Sequence, residues 1–200
     1  MESIAVIDFE TTGVSPAQAR ATEIGVAIIE DGRIVDRYQS LMYSGAWVPP
    51  FIEQLTGISN AMLRQAPPSE QVMNEVADFI GERPLLAHNA AFDQKFWDAE
   101  LARVSRRRAQ PFACSLLLSR RLLPEAPSHK LGNLNSWAGL PDTGRAHRAL
   151  ADAEMAANLT LHLFDLLRDR HGRHQADHAF LCQLQSLSAA KVRTLLATAS

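Results

Sequence analysis

The chain opens on a short β-branched apolar run, Ile4-Ala5-Val6-Ile7, the composition of a strand buried on both faces. Two longer strand-like stretches follow, residues 23–29 and 33–41, joined by Glu30-Asp31-Gly32. Asp-Gly between two such runs predicts a tight hairpin. From Pro49-Pro50 to Pro67-Pro68 prolines break the pattern and leave room only for short helices near residues 52–55 and 61–64. Ser69 is placed to cap a helix over residues 70–80. Beyond Pro84 the pattern predicts a strand over 85–88, a helix over 91–104, a strand over 112–114, a helix over 115–123 and another over 131–137. The longest helix is predicted over residues 148–168, and from His171 onward the chain is polar, then weakly amphipathic. Three strands with a hairpin, then alternating helices and strands, predict an α/β fold with a mixed β-sheet flanked by α-helices. That unit occupies residues 1–170, and residues 171–200 read as a C-terminal helical tail.

Composition narrows the class. Two hundred residues suit one domain, and 46% hydrophobic with 21% charged residues is ordinary for a globular chain. No apolar run is long enough to span a bilayer, and the N-terminus carries no basic segment or cleavage site of a leader. Two cysteines, Cys114 and Cys182, make no disulfide framework and have no metal-type spacing, so the cytoplasm is expected. The net charge of −2 argues against a polycation that coats duplex DNA. It leaves room for a nucleic-acid enzyme whose affinity comes from a local patch or bound ions.

Three constellations could carry chemistry. Asp8-Phe9-Glu10 ends the first strand, and alternation puts both carboxylates on one face, with α-carbons about 7 Å apart. Two like charges there are costly unless a cation lies between them, and hard oxygen ligands suit Mg²⁺ or Mn²⁺. Solvated loop carboxylates are the ordinary alternative, since Asp-x-Glu is common. Asp93 heads a helix on which Phe96, Trp97, Leu101 and Val104 share its face, so a carboxylate leads an apolar stripe. A residue favoured only by the helix dipole would look similar. Asp152 leads a second such stripe, through Met155, Ala156, Leu159, Leu163 and Leu166. His147 lies five residues earlier, about 140° away if both were helical, and Thr143-Gly144-Arg145 before it favours a loop. Four carboxylates and one loop histidine are the parts a two-metal nuclease uses, with two ions about 4 Å apart and a near-neutral base.

The stretches Ile7-Asp8-Phe9-Glu10-Thr11-Thr12-Gly13, His88-Asn89-Ala90-Ala91-Phe92-Asp93 and Ala146-His147-Arg148-Ala149-Leu150-Ala151-Asp152 occur in that order. Leu55-Thr56-Gly57-Ile58 and His129-Lys130-Leu131 support them. Together they resemble the DEDDh exonucleases of the DnaQ-like, ribonuclease H-like superfamily, above all the proofreading epsilon subunits of bacterial DNA polymerase III. The resemblance covers residues 4–165. It implies a 3'→5' exonuclease in which Asp8, Glu10 and Asp152 bind two Mg²⁺ or Mn²⁺ ions, Asp8 bridging both. It also implies that Asp93 holds the second ion and that His147 is the general base. By the same resemblance Phe9, Thr11, Thr12, Gly13, Leu55, Thr56, His88, Asn89 and Phe92 line the terminal-nucleotide site. Phe9 departs from the Thr usual in proofreading subunits, and relatives with Phe there include RNA-acting members.

The implied substrate is a single-stranded or frayed DNA 3' end. An RNA-trimming exoribonuclease is the rival, and an inactive nucleic-acid-binding module is a third reading that five intact site residues disfavour. A DNA polymerase or sliding clamp is a possible partner; Gln183-Leu184-Gln185-Ser186-Leu187 loosely resembles clamp-docking peptides, though an amphipathic helix packed on the domain explains it better. Arg106-Arg107-Arg108 and Arg120-Arg121 could track a phosphate backbone or be solvated turns. Trp97 and Trp137 at helical spacing predict core positions. His171, His174 and His178 would share a face of one helix, a weak metal pattern without further ligands.

Overall fold

A computed structural model describes residues 3–144 and 147–197. Arg145 and Ala146, in and just before the third motif, lie outside the described residues. The chain forms β1 (Ile4–Thr11), β2 (Ala21–Glu30), β3 (Arg33–Leu41), α1 (Pro50–Thr56), α2 (Asn60–Leu63), α3 (Ser69–Ile80) and β4 (Leu85–Ala87). Then come α4 (Ala91–Arg103), β5 (Phe112–Cys114), α5 (Ser115–Leu122), α6 (Leu131–Trp137), α7 (Ala149–His171), α8 (His178–Ser186) and α9 (Ala189–Ala197). The sheet order is β3-β2-β1-β4-β5. β1–β2 and β2–β3 are antiparallel, β1–β4 and β4–β5 parallel. This is the mixed, helix-flanked sheet that the pattern predicts. In the β2–β3 hairpin Asp31 and Gly32 both take positive φ, 48° and 77°, the conformation an Asp-Gly hairpin turn requires.

Alternation along β1 divides the core in two. Ile4 and Val6 face a cluster under α5, α7, α8 and α9, with Ala27, Leu118, Leu159, Leu163 and Leu184. Ala5, Ile7 and Phe9 face the other cluster, under α3 and α4, with Val26, Val76, Phe96 and Trp97. The parallel centre of the sheet is therefore covered on both sides, which explains the unbroken apolar run at residues 4–7.

Several expectations change. Ser69 does not cap α3; Pro68 holds that position, and the Ser69 hydroxyl accepts from Arg20 Nη2 at 3.1 Å. The three histidines do not share a helix, because Gly172 ends α7 in a left-handed turn after His171, and His178 opens α8. His178 is buried, its Nε2 2.7 Å from the Leu85 carbonyl, so its ring serves the sheet. Trp97 is core, but Trp137 is 43% exposed because α6 ends there. Leu184 is buried, and Gln185 accepts from the Cys114 N–H and donates to the Phe112 carbonyl, completing the bare edge of β5. The Gln183–Leu187 stretch is thus packed into the fold. Arg106 and Arg108 pair with Asp78 and Asp98, and Arg121 donates to Leu187 and Leu117 carbonyls. Among the described residues no helix is long and apolar enough to cross a membrane.

Candidate active site

Asp8 and Glu10 continue the face of β1 that begins with Ile4 and Val6, the face α7 covers. Opposite these four on β2 stand Ile29, Ala27, Gly25 and Glu23. Directly opposed residues of an antiparallel pair point to the same side, so Gly25 lies beside Asp8 and Glu23 beside Glu10. Gly25 makes room for the helix: a β-carbon there would sit 2.2 Å from both the Ala149 carbonyl carbon and the Leu150 nitrogen. The first turn of α7 consequently rests on the β2 backbone, and Asp152, in that turn, meets the end of β1.

Glu10, His147 and Asp152 each offer an atom within 4.8 Å of the others. His147 has φ 61°, a left-handed conformation that lets its N–H donate to Asp152 Oδ2 at 2.9 Å. Such a conformation in a non-glycine persists only when neighbours impose it. Asp93 arrives from the opposite layer at the head of α4, buried with Phe96, Trp97 and Leu101. Its Oδ1 accepts the Phe9 N–H at 3.1 Å, which ties α4 to the end of β1.

Burial raises all four carboxyls, and their mutual repulsion adds to it. Asp8 is held well above the usual carboxylate range by burial first, then by Asp93, Asp152 and Glu10. Burial, Asp152 and Glu23 push Glu10 up to about 8, with Arg148 opposing. Asp93 reaches about 8 through burial, against the hydrogen bond from Phe9. Asp152 is raised by burial, partly offset by the His147 N–H and ring. Arg148 neutralises this cluster only in part, since its guanidinium is committed to Glu23 at 2.7 and 3.1 Å. A convergent set of hard oxygen donors that resists ionising without a counter-charge fits a divalent cation.

The residues expected around a terminal nucleotide fall into different environments. Phe9 is 4% exposed, its ring 6.3 Å from Trp97, because alternation sends it away from Asp8 and Glu10. Only its backbone reaches the site. Thr56 is buried, its hydroxyl donating to Ile52 and accepting from Ile58, so it fastens the end of α1. The neighbouring Leu55 is 48% exposed. Thr11 Oγ1 donates to the Gly13 carbonyl and Thr12 Oγ1 accepts from Arg20 N, so both shape the β1–β2 turn. The His88 ring lies 3.0 Å from the Ser115 hydroxyl and 3.0 Å from the His129 carbonyl, and burial lowers it to about 4. It is therefore a neutral tie between β4, α5 and the loop before α6. Asn89 is exposed with φ 65°, and the Phe92 ring lies 5.0 Å from that of Phe96, tilted by 45°.

Two buried glutamates escaped the sequence reading. Glu100 takes both Nε and Nη2 of Arg20 and the Ala21 N–H, anchoring the β1–β2 turn. Glu23 takes Arg148, the Ala149 N–H at 3.1 Å and Gln39. A carboxylate inside the run from Ala21 to Ile29, where Thr22 is the other polar side chain, was a usable signal for Glu23. Gly25 carried a weaker signal, a glycine inside a strand.

A mixed sheet whose central strand ends in a carboxylate cluster, closed by a helix from each layer, defines an α/β domain built around an acidic, cation-fitting site. An exonuclease family model, RNase T, matches residues 5–160. The chain belongs to this family, the DnaQ-like 3'→5' exonucleases. It is 30% identical over 168 residues to DNA polymerase III subunit epsilon of Aquifex aeolicus, covering 84% of this chain and 83% of that protein. It is 35% identical over 188 residues to the 3'-5' exonuclease DinG of Bacillus subtilis, covering 92% of this chain but 19% of the longer protein. Among solved structures, Exonuclease X in complex with 5' overhanging duplex DNA superposes with a TM-score of 0.72 at 24% identity, covering 91% of this chain and 99% of that one. E. coli Exonuclease I with a dT13 oligonucleotide gives a TM-score of 0.72 at 17% identity, covering 86% of this chain and 42% of that one. These two likenesses concern the fold.

Proposed function

We propose that the chain removes nucleoside 5'-monophosphates from the 3' ends of single-stranded or frayed DNA, using two Mg²⁺ or Mn²⁺ ions. The observation that carries this is the convergence of Asp8, Glu10 and Asp152 at the end of β1, with Asp93 entering from α4 and His147 alongside. Asp8, Glu10 and Asp152 would hold the ions directly, Asp8 serving both, and Asp93 would hold the second. When bound, the ions neutralise charge on the scissile phosphate and acidify water. His147, exposed and joined to Asp152 through its own N–H, takes the proton of the attacking water. The exonuclease unit is read as residues 1–170, and of the residues expected around the terminal nucleotide Leu55 and Asn89 are the exposed ones, open to a terminal base.

DNA is favoured because the relatives' names speak of DNA polymerase III and the structural likeness includes a dT13 complex. The one residue that pulled toward RNA, Phe9, has its side chain in the core, so it offers no contact to a 2'-hydroxyl. A DNA polymerase is the partner consistent with the epsilon likeness. Clamp docking through Gln183–Leu187 would require unpacking Leu184 and Gln185.

The test is a time course on matched single-stranded DNA, duplex DNA and RNA oligomers labelled at the 5' end, with Mg²⁺, Mn²⁺ or chelator. The expected product is a ladder shortening one nucleotide at a time from the 3' end of single-stranded DNA, abolished by chelation. A tenfold or greater preference for RNA in kcat/KM, about 1.4 kcal/mol in the transition state, would reverse the substrate assignment.

A further inference from the structure

We propose that Glu23 is a positioning residue for this reaction: its carboxylate locks the segment from His147 to Ala149 and so holds the His147 ring over Glu10 and Asp152. The inference rests on the reading of His147 as the base. Glu23 is fully buried in β2 and directly opposite Glu10 across the β1–β2 pair. A carboxylate facing another carboxylate in a strand pair is unfavourable, and an apolar residue would suit this run better. What Glu23 gains there is four donors. Arg148 Nη2 and Nε reach it at 2.7 and 3.1 Å, the Ala149 N–H at 3.1 Å and Gln39 Nε2 at 2.8 Å.

Three of those four donors belong to the two residues that follow His147. His147 itself keeps a left-handed backbone, and its N–H is fixed to Asp152. The segment thus has two anchors, Asp152 at His147 and Glu23 at Arg148 and Ala149. Removing the second frees the start of α7 to fray, and the His147 backbone can relax to an ordinary conformation that turns the ring away. Gly25, two residues along β2, keeps the helix start seated on the strand but holds no donor or acceptor of the His147 turn.

The experiment is a double-mutant cycle in the full chain, read as single-turnover cleavage of 5'-labelled single-stranded DNA at saturating Mn²⁺, with amide exchange at His147 and Ala149 as a second readout. Glu23→Gln is expected to cut the rate about a hundredfold with KM little changed, the scale of a misplaced catalytic group. In a His147→Ala background the same substitution should cost less than about threefold, because the group it positions is gone. Exchange at both amides should quicken. Glu100→Gln breaks a comparable buried pair and should cost the same factor in both backgrounds. Arg148→Lys retains the charge but loses the fork, and provides a milder cycle, about tenfold alone, should Glu23→Gln fail to fold. Equal costs of Glu23→Gln, or of Arg148→Lys in its place, in both backgrounds overturn the positioning role alone. A wild-type rate in His147→Ala by itself overturns the assignment of His147 as the base, and this role with it.

Discussion

Gly25→Ala tests whether the seat of α7 on β2 builds the site. The added β-carbon would lie 2.2 Å from two backbone atoms of α7, whereas ordinary contact begins at 3.4 Å. Both obstacles are main-chain, so no rotamer change relieves them, and the helix start must retreat by about 1.2 Å. Gly25 is paired with Asp8, so the retreat opens the gap between Asp8 and the turn carrying His147 and Asp152. Misplacement on that scale costs about a hundredfold in kcat. Overpacking costs about 1–3 kcal/mol, and each kcal/mol moves the Tm of a chain this size by about 2–4 °C. The assay is single-turnover cleavage of 5'-labelled single-stranded DNA at saturating Mn²⁺, with thermal unfolding on the same samples. Gly132→Ala is the control: it lies in α6, where an added β-carbon would meet nothing within 4 Å, so the rate should stay at wild type and the Tm should hold or rise slightly, since alanine favours a helix over glycine by about 1 kcal/mol or less. A Gly25→Ala protein with wild-type kcat and Tm would refute the close-approach account.

Three further outcomes follow from the same geometry. Asp8→Asn and Asp152→Asn should each lower turnover by about three decades or more, yet raise the Tm of the metal-free protein by removing a buried like charge; a lowered Tm would show the carboxylates to be structurally stabilising. The metal-free Tm should fall between pH 5 and 9, because raised folded-state values make these carboxyls stabilising when neutral, fully so below their unfolded values near 4. That stability is lost as pH climbs through about 8 for Glu10 and Asp93. Added Mn²⁺ should flatten the curve, and a curve equally steep with and without the ion would contradict binding at this cluster. His147→Ala should lose about two to four decades of rate while keeping its metal affinity by calorimetry; lost affinity would make His147 a ligand instead.

The linear pattern of residues determined a good deal. The apolar run at 4–7, the Asp-Gly hairpin and the stripes behind Asp93 and Asp152 are local signals, set by periods of 2 and 3.6, and each element formed close to where they place it. The pairing of Asp8 with Glu10 on one face is likewise a property of any strand. What the sequence could not determine is which face meets which helix. Phe9 sits between two site carboxylates in sequence, yet only the two-layer cover of the sheet shows that its ring belongs to the α4 side and theirs to the α7 side. The tail was legible only as weakly amphipathic, because its order comes from Gln185 completing the β5 edge and from Leu184 entering the α7 core. Glu23, Arg148 and Gly25 acquire their roles from contacts spanning well over a hundred residues of chain. No local period encodes a contact of that length, so the sequence names the groups proposed to do the chemistry, and the tertiary structure alone decides which groups hold them in place.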